Sequence, residues 1–312
     1  MKRYPLLLEA VTKTALWGGS RLSEQYGKCS PHAVISESWE LTLRDGDENT
    51  VRNGEARGMT LTEYLSAAGI PAEGHFPLLI KLIDAADKLS VQVHPDDAYA
   101  HAHGVDSGKT EMWVVVDAEP GATLILGLKE GVSASDFRDA VDRGELASVM
   151  REVPVSPGDV FYIPAGLLHA IGAGILIAEI QQNSDTTYRV WDYDRRGADG
   201  KLRPLHIAEA LEVVRPISDG EIERERFSRP DPALPGECLT SAPFFAASRT
   251  VGNASLTVGE DAFVSLLVTE GDGILTGGGE TLSLRAGDSV LLPAGTGEVT
   301  LTGDLTCLWA RP

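Results

Sequence analysis

The sequence predicts a mainly β protein made of two related sandwich- or barrel-like units, with a few short helices in the first. Three observations lead there. Short β-branched or alternating runs recur at 79–83, 89–93, 112–116, 122–126, 159–163 and 175–180, most with Gly, Pro or Asp close by. Helix starts are few. Finally, Gly158-Asp-Val-Phe-Tyr-Ile-Pro-Ala-Gly166 is echoed by Gly287-Asp-Ser-Val-Leu-Leu-Pro-Ala-Gly295, repeating one turn, one buried strand and one Pro-Ala-Gly exit.

The elements follow in chain order. Thr60-x-x-Glu63 is a capping box that starts a helix over 61–68, and Ser133-x-x-Asp136 starts another in which Phe137, Val141 and Leu146 face inward. A third helix is expected near 207–214. The stretch 228–236 holds three prolines after the charged run 221–226, the composition of a linker. The domain boundary is therefore placed there: a first domain with helical insertions over 1–227, a Pro-rich linker over 228–236, and a β domain over 237–312.

Composition narrows the function. The chain has 312 residues, 43% hydrophobic and 23% charged, the balance of an ordinary globular protein. No apolar run approaches the ~20 residues of a bilayer span, and residues 1–8 carry no signal-peptide pattern. A cytoplasmic protein is expected. The formal charge of −19 repels nucleic acid and anionic membrane, so neither is an expected partner, and an anionic substrate needs a local cluster of Lys and Arg. Cys29, Cys238 and Cys307 form no C-x-x-C pair and indicate neither a disulfide framework nor a zinc knuckle.

The chemistry belongs to the first repeat. Its spacing Gly158-x5-Pro164-x4-His169 matches the second sequence motif of the cupins, a jelly-roll family in which that histidine is commonly a metal ligand. The second repeat has Glu298 at the equivalent position, and no histidine follows His206. The reading is two cupin-like jelly-roll units, the second degenerate and without metal ligands. In Ser90-Val-Gln-Val-His-Pro95, strand alternation puts Gln92 and His94 on one face; in Lys109-Thr-Glu-Met-Trp113 it aligns Lys109, Glu111 and Trp113. With His169 this makes a Gln/His/Glu/His set. Two imidazoles and a carboxylate suit Zn²⁺, with the Gln carbonyl as a weaker fourth oxygen. His101 and His103 follow Pro95-Asp-Asp97 in a loop or short helix, where alternate residues do not share a face, and are read as solvated or capping. His32, His75 and His206 default to structural roles. Lys81, an isolated cation in an apolar run, is costly to bury unpaired and turns either to the site or to a carboxylate.

Five runs carry a specific resemblance: Phe76-Pro-Leu-Leu-Ile-Lys-Leu-Ile-Asp-Ala85, Leu89-Ser-Val-Gln-Val-His-Pro-Asp-Asp97, Gly108-Lys-Thr-Glu-Met-Trp113, Ile163-Pro-Ala-Gly-Leu-Leu-His-Ala170 and Gln182-Asn-Ser-Asp-Thr-Thr-Tyr-Arg-Val-Trp-Asp192. Together they resemble the type I mannose-6-phosphate isomerases in their short bacterial form, from Trp17-Gly-Gly19 and Ser36-Glu-Ser-Trp-Glu40 to about Asp194. Ser36 departs from the pattern, which usually has Gly there. The resemblance implies a zinc-dependent aldose–ketose isomerase, with one Zn²⁺ per chain, that interconverts mannose 6-phosphate and fructose 6-phosphate. It implies Gln92, His94, Glu111 and His169 as the metal shell and Arg189 as the active-site arginine, with Lys109 close by. Trp17 and Lys81 are taken as substrate-binding. Isomerisation passes a proton between neighbouring carbons through an enediol, and Lys109 and Glu179 both qualify as its carrier. Without the resemblance, Arg189 reads as a surface partner of Asp185 or Asp192. A non-catalytic metal- or sugar-binding cupin, or a cupin enzyme acting on another sugar, shares the ligand set, and the sequence leaves monomer and homodimer open.

Overall fold

The structure is a computed structural model that describes residues 1–32, 34–70, 76–197, 200–230 and 232–312. It is mainly β, with 42% strand and 16% helix. The expected strands are present, extended or trimmed by a few residues: Leu78–Ala85, Val91–Val93, Glu111–Ala118, Thr123–Leu128, Val160–Ile163 and Ile175–Gln182. His75 lies outside the described residues.

Two compact units divide the chain. One comprises 15–19 and 84–225. Its five-stranded sheet runs in the order Met150–Pro154, Thr123–Leu128, His169–Ile171, Val91–Val93, Tyr188–Trp191. Glu111–Ala118 pairs antiparallel with Val160–Ile163 on one side and with Ile175–Gln182 on the other. A core of Val91, Val93, Phe137, Leu168, Ala170 and Val190 forms behind the five-stranded sheet, because alternation along Val91–Val93 and Tyr188–Trp191 sends every second side chain there.

The other unit comprises 1–14, 20–83 and 226–312. Its nine-stranded sheet includes the long strands Val264–Gly277 and Gly297–Arg311, and its core gathers Leu266, Val268, Leu275, Val290, Leu301 and Trp309. This partition departs from the boundary expected at 228–236. The reason is strand pairing: Leu6–Glu9 lies antiparallel to Ser289–Leu292, with Leu6 opposite Leu291, so N-terminal residues complete the C-terminal sheet. The proline-rich stretch is also tied down, Arg229 N donating to Ser241 O at 2.9 Å and Ser248 Oγ to Pro235 O at 2.6 Å.

Both predicted capping boxes form. Glu63 N donates to Thr60 Oγ1 while Thr60 N donates to Glu63 Oε2, starting Leu61–Ala67; Ser133 and Asp136 do the same for Ala134–Arg143. Left-handed Gly144 ends that second helix, so Leu146 faces the core from a separate short helix, Leu146–Val149. The third helix is Ile207–Val213. The charged run also forms a helix, Asp219–Arg226, whose sequence signal is Ser218-x-x-Glu221, two residues that cap one another.

The sequence repeat is a structural repeat. Gly158 and Gly287 have φ of 92° and 90°, and Gly166 and Gly295 of 88° and 80°. Gly158 N donates to Val115 O and Val115 N to Asp159 O; Gly287 N and Val268 N make the same pair of bonds to Val268 O and Asp288 O. Asp159 and Asp288 each accept from the backbone amide three residues earlier. Ile163 pairs with Glu111 as Leu292 pairs with Val264, and Gly166 N reaches His94 O as Gly295 N reaches Gly259 O. The positions of His94, Glu111 and His169 are thus held in the second copy by Gly259, Val264 and Glu298, none of them a His/Glu/His set.

Candidate active site

The site lies within the unit containing 84–225 and draws on both of its sheets. Val91–Val93 delivers His94 at its exit, where Pro95 ends the strand. Across the ladder, Gln92 is opposite His169 on one side and Arg189 on the other, so Arg189, Gln92 and His169 form one row on one face. From the other sheet, Glu111 is opposite Gln181 and Trp113 is opposite Glu179, which puts these four side chains on a common face. The two faces meet: His169 Nε2 is 3.9 Å from Glu111 Oε2, and His94 Nε2 is 3.2 Å from Glu111 Oε1.

Lys109 precedes the Glu111 strand and is set by its surroundings. Its backbone N donates to Pro95 O, and Gly108 N donates to the Asp97 carboxylate. A Cβ on Gly108 would fall 2.4 Å from Asp97 N, so only glycine passes here. Lys109 Nζ lies 2.5 Å from Glu111 Oε1 and 3.4 Å from His94 Nε2. Lys109, Glu111, His94, His169 and Glu179 are all buried.

Protonation follows from burial and charge. Burial, reinforced by the Lys109 cation, lowers His94 to about 3, and burial lowers His169 as well. Burial alone pushes Glu111 upward, but Lys109, His94 and His169 together bring it well below the ordinary carboxylate range. At neutral pH the three therefore present two neutral imidazoles and a carboxylate, the protonation state that metal ligation requires.

The donor set fits a metal ion. The coordinating atoms of His94, Glu111 and His169 lie within 4.8 Å of one another. Each imidazole bonds a backbone carbonyl through Nδ1, His94 to Thr186 O and His169 to Leu167 O, both at 2.8 Å, which leaves Nε2 turned into the cluster. Glu111 Oε1 is buried and accepts no well-aligned hydrogen bond. Gln92 contributes its amide 3.4 Å from His169 Nε2, and half a turn of that amide exchanges its nitrogen for its oxygen. Trp113 Nε1–H is shared between Glu111 Oε2 at 3.1 Å and Glu179 Oε1 at 2.9 Å, and the indole stands edge-on to His169.

Arg189 is half-buried, with Nε donating to Ser90 Oγ at 3.3 Å and one terminal nitrogen donating to Pro204 O at 2.9 Å. Burial, then neighbouring Arg203, pulls its pKa down. Asp192, one of its expected partners, is held by Arg195 and Arg203. Lys81 meets a carboxylate, Glu37 at 3.8 Å, and lies over the Trp39 ring; both partners belong to the other compact unit, as Lys81 does. Trp17 is buried, its carbonyl accepting Asp87 N. His101 and His103 sit exposed on the helix Asp97–His103, where His103 stacks on Tyr99. Sequence reasoning passed over Thr110, Gln182 and Asp97, which brace Lys109 and Glu111: Thr110 N donates to Gln182 Oε1, and Gln182 Nε2 lies 3.3 Å from both Asp97 oxygens. All three lie inside the quoted runs, but nothing in their own spacing marks a role.

Comparison with known proteins shows the family. The family model for the catalytic domain of type I phosphomannose isomerase matches residues 6–120, and that for the mannose-6-phosphate isomerase cupin domain matches 239–312. The mannose-6-phosphate isomerase ManA of Bacillus subtilis is 36% identical over 99% of this chain and 99% of its own length. The chain belongs to the type I phosphomannose isomerase family. Mannose-6-phosphate isomerase of Streptococcus mutans is 36% identical over 96% of both chains. The crystal structure of the Bacillus subtilis mannose 6-phosphate isomerase superimposes with a TM-score of 0.88 at 32% identity, covering 99% of each chain. His94 and Glu111 fall within the catalytic-domain match at 6–120, and His169 lies outside both family matches. Among the described residues no helix is long and apolar enough to cross a membrane.

Proposed function

We propose that this type I phosphomannose isomerase interconverts mannose 6-phosphate and fructose 6-phosphate at the cluster built around Glu111, with Zn²⁺ held by His94, Glu111, His169 and Gln92. The observation that carries the reading is the buried cluster itself: two inward-facing imidazole nitrogens, a carboxylate with an unsatisfied oxygen and a Lys amino group, all in one small volume. When bound, the metal supplies Lewis-acid stabilisation of charge developing on the sugar oxygens.

The chain's own residues supply the rest. Lys109 and Glu179 are the two groups placed to carry a proton, Lys109 at the imidazole and carboxylate of the ligand set, Glu179 held by the Trp113 N–H that also binds Glu111. Arg189, in the same cross-strand row as Gln92 and His169, is the cation for the substrate's anionic oxygens. Trp17 is assigned to substrate binding from its place in the resembling runs, and Lys81, as an isolated buried cation, is a lesser candidate that also meets the Glu37 carboxylate. The cluster excludes bulk water, which strengthens each of these electrostatic interactions.

In this reading the metal-binding and catalytic groups all fall within 1–227, and 237–312 is a degenerate copy without metal ligands whose sheet is completed by N-terminal residues. A cytoplasmic location is supported by three free thiols, Cys29, Cys238 and Cys307. The test is conversion of mannose 6-phosphate to fructose 6-phosphate by purified protein, with chelator and then with Zn²⁺ restored. Chelator-sensitive turnover that Zn²⁺ rescues supports the proposal. Turnover indifferent to chelator removes the metal, and metal uptake without turnover moves the activity to another substrate.

A further inference from the structure

The two histidines and the glutamate come from separate segments, yet one short turn bonds both histidines and Thr110, the neighbour of the glutamate. In the turn 164–168, Ala165 N donates to Thr110 Oγ1, next to Glu111; Gly166 N donates to His94 O; and Leu167 O accepts from His169 Nδ1. The opposite side of the turn is held by a single residue. Arg215 N donates to Gly166 O at 2.9 Å, and the Arg215 guanidinium donates to Ala165 O at 2.6 Å. The approach is close enough to dictate residue type: Gly166 has φ of 88°, and a Cβ there would fall 2.6 Å from Arg215 Nε and 2.9 Å from Val213 O.

We propose that Arg215 is a positioning residue of the metal centre, its side chain fixing the turn that orients the His169 ring through Leu167 O and anchors the main chain at His94 through Gly166 N. Arg215 touches none of the ligands. It is solvent-exposed, lining a surface cleft with Pro216, Glu221 and Glu225, and so nothing in the interior requires its charge. Its guanidinium does what the backbone around it does not: it occupies Ala165 O, whereas Gly166 O, Leu167 O and Leu168 O bond to Arg215 N, His169 Nδ1 and Gly127 N. Freeing that carbonyl lets the turn shift, and with it the hydrogen bond that orients His169 and the one that anchors His94.

The inference rests on the metal centre proposed above, and the experiment separates the two. Co²⁺ is titrated into metal-free wild type, R215A, R215K and H169A, following the visible absorption of the bound ion, with thermal unfolding of each metal-free protein alongside. Loss of an outer partner that orients a ligand typically weakens a metal about tenfold or more. The expected result is Co²⁺ binding about tenfold weaker in R215A with an altered absorption envelope at saturation, partial recovery in R215K, and a metal-free melting temperature close to wild type. Wild-type affinity and an unchanged envelope in R215A overturn the proposal, as does equal loss in R215A and R215K that tracks a lowered melting temperature, which marks a structural role only. Failure of wild type to bind Co²⁺, or full binding by H169A, overturns the metal centre and this proposal with it.

Discussion

Lys109 Nζ and Glu111 Oε1 are 2.5 Å apart, with side chains 6% and 1% exposed. A pair so far from water survives because each charge compensates the other, and removing one partner leaves the second buried and unpaired, at a cost of about 3–5 kcal/mol. In K109M the metal-free protein should lose stability of that order by denaturant titration. Zn²⁺ should restore much of the loss, since the cation takes over compensation of Glu111. Equal destabilisation with and without Zn²⁺ would show that Glu111 does not meet the metal.

Arg189 and His169 occupy one cross-strand row but hold different roles, and two variants separate them. H169A should lose metal and turnover together by metal analysis and coupled assay. R189A should retain its metal while kcat/KM falls by roughly a hundredfold or more, the scale on which a charge-stabilising group matters. Full activity in R189A removes Arg189 from the mechanism, and stoichiometric metal in H169A shows that the ligand assignment is wrong.

The shared indole N–H of Trp113 holds Glu111 and Glu179 at once. W113F keeps most of the ring's apolar contact but deletes the donor to both carboxylates. Its expected stability loss is about 1–3 kcal/mol per buried group affected. A fall in kcat larger than the rise in KM is expected, because two groups at the reacting centre lose their orientation. An unchanged kcat would assign the indole to packing alone.

Glu40 allows a prediction about pH and stability in the other unit. Burial raises its carboxyl above the ordinary range, opposed by Lys28, 2.7 Å away, and by the hydroxyl of Ser38 at 2.6 Å. The folded state thus binds the Glu40 proton more tightly than the unfolded chain does. Its contribution is fully present below about pH 4.5, the unfolded value, and declines as pH rises through the raised folded value. The stability of wild type relative to E40Q should therefore fall as pH rises from about 4 to 7. A relative stability that rises over that range contradicts the assignment.

Much of the site was legible because its residues obey short periods. Gln92 and His94 alternate within one strand and its exit, and His169 sits at a fixed distance from a glycine turn that the second half of the chain repeats. Alternation also discounted His101 and His103 correctly: on a helix, residues two apart diverge, and both are exposed. Helix Asp219–Arg226 went unread because its charged face masked a capping pair that Ser218 and Glu221 do form. Lys81 had two destinations by desolvation, and only the fold shows Glu37 and Trp39 beside it.

The amino-acid sequence by itself determined the β class, the repeated turn, the absence of histidine from the second copy and the candidate residues His94, Glu111 and His169 that the fold gathers, because each depends on residue type and on spacing within a few positions. Tertiary structure alone decided that Leu6 joins the strand of Leu291, that Trp113 bridges two carboxylates, and that Arg215 holds the turn beneath both histidines. Apart from Trp113 to Glu111, two positions away, these contacts join residues dozens to hundreds of positions apart. Only the pairing of strands, driven by burial of their apolar faces and satisfaction of their backbone hydrogen bonds, brings such residues within reach.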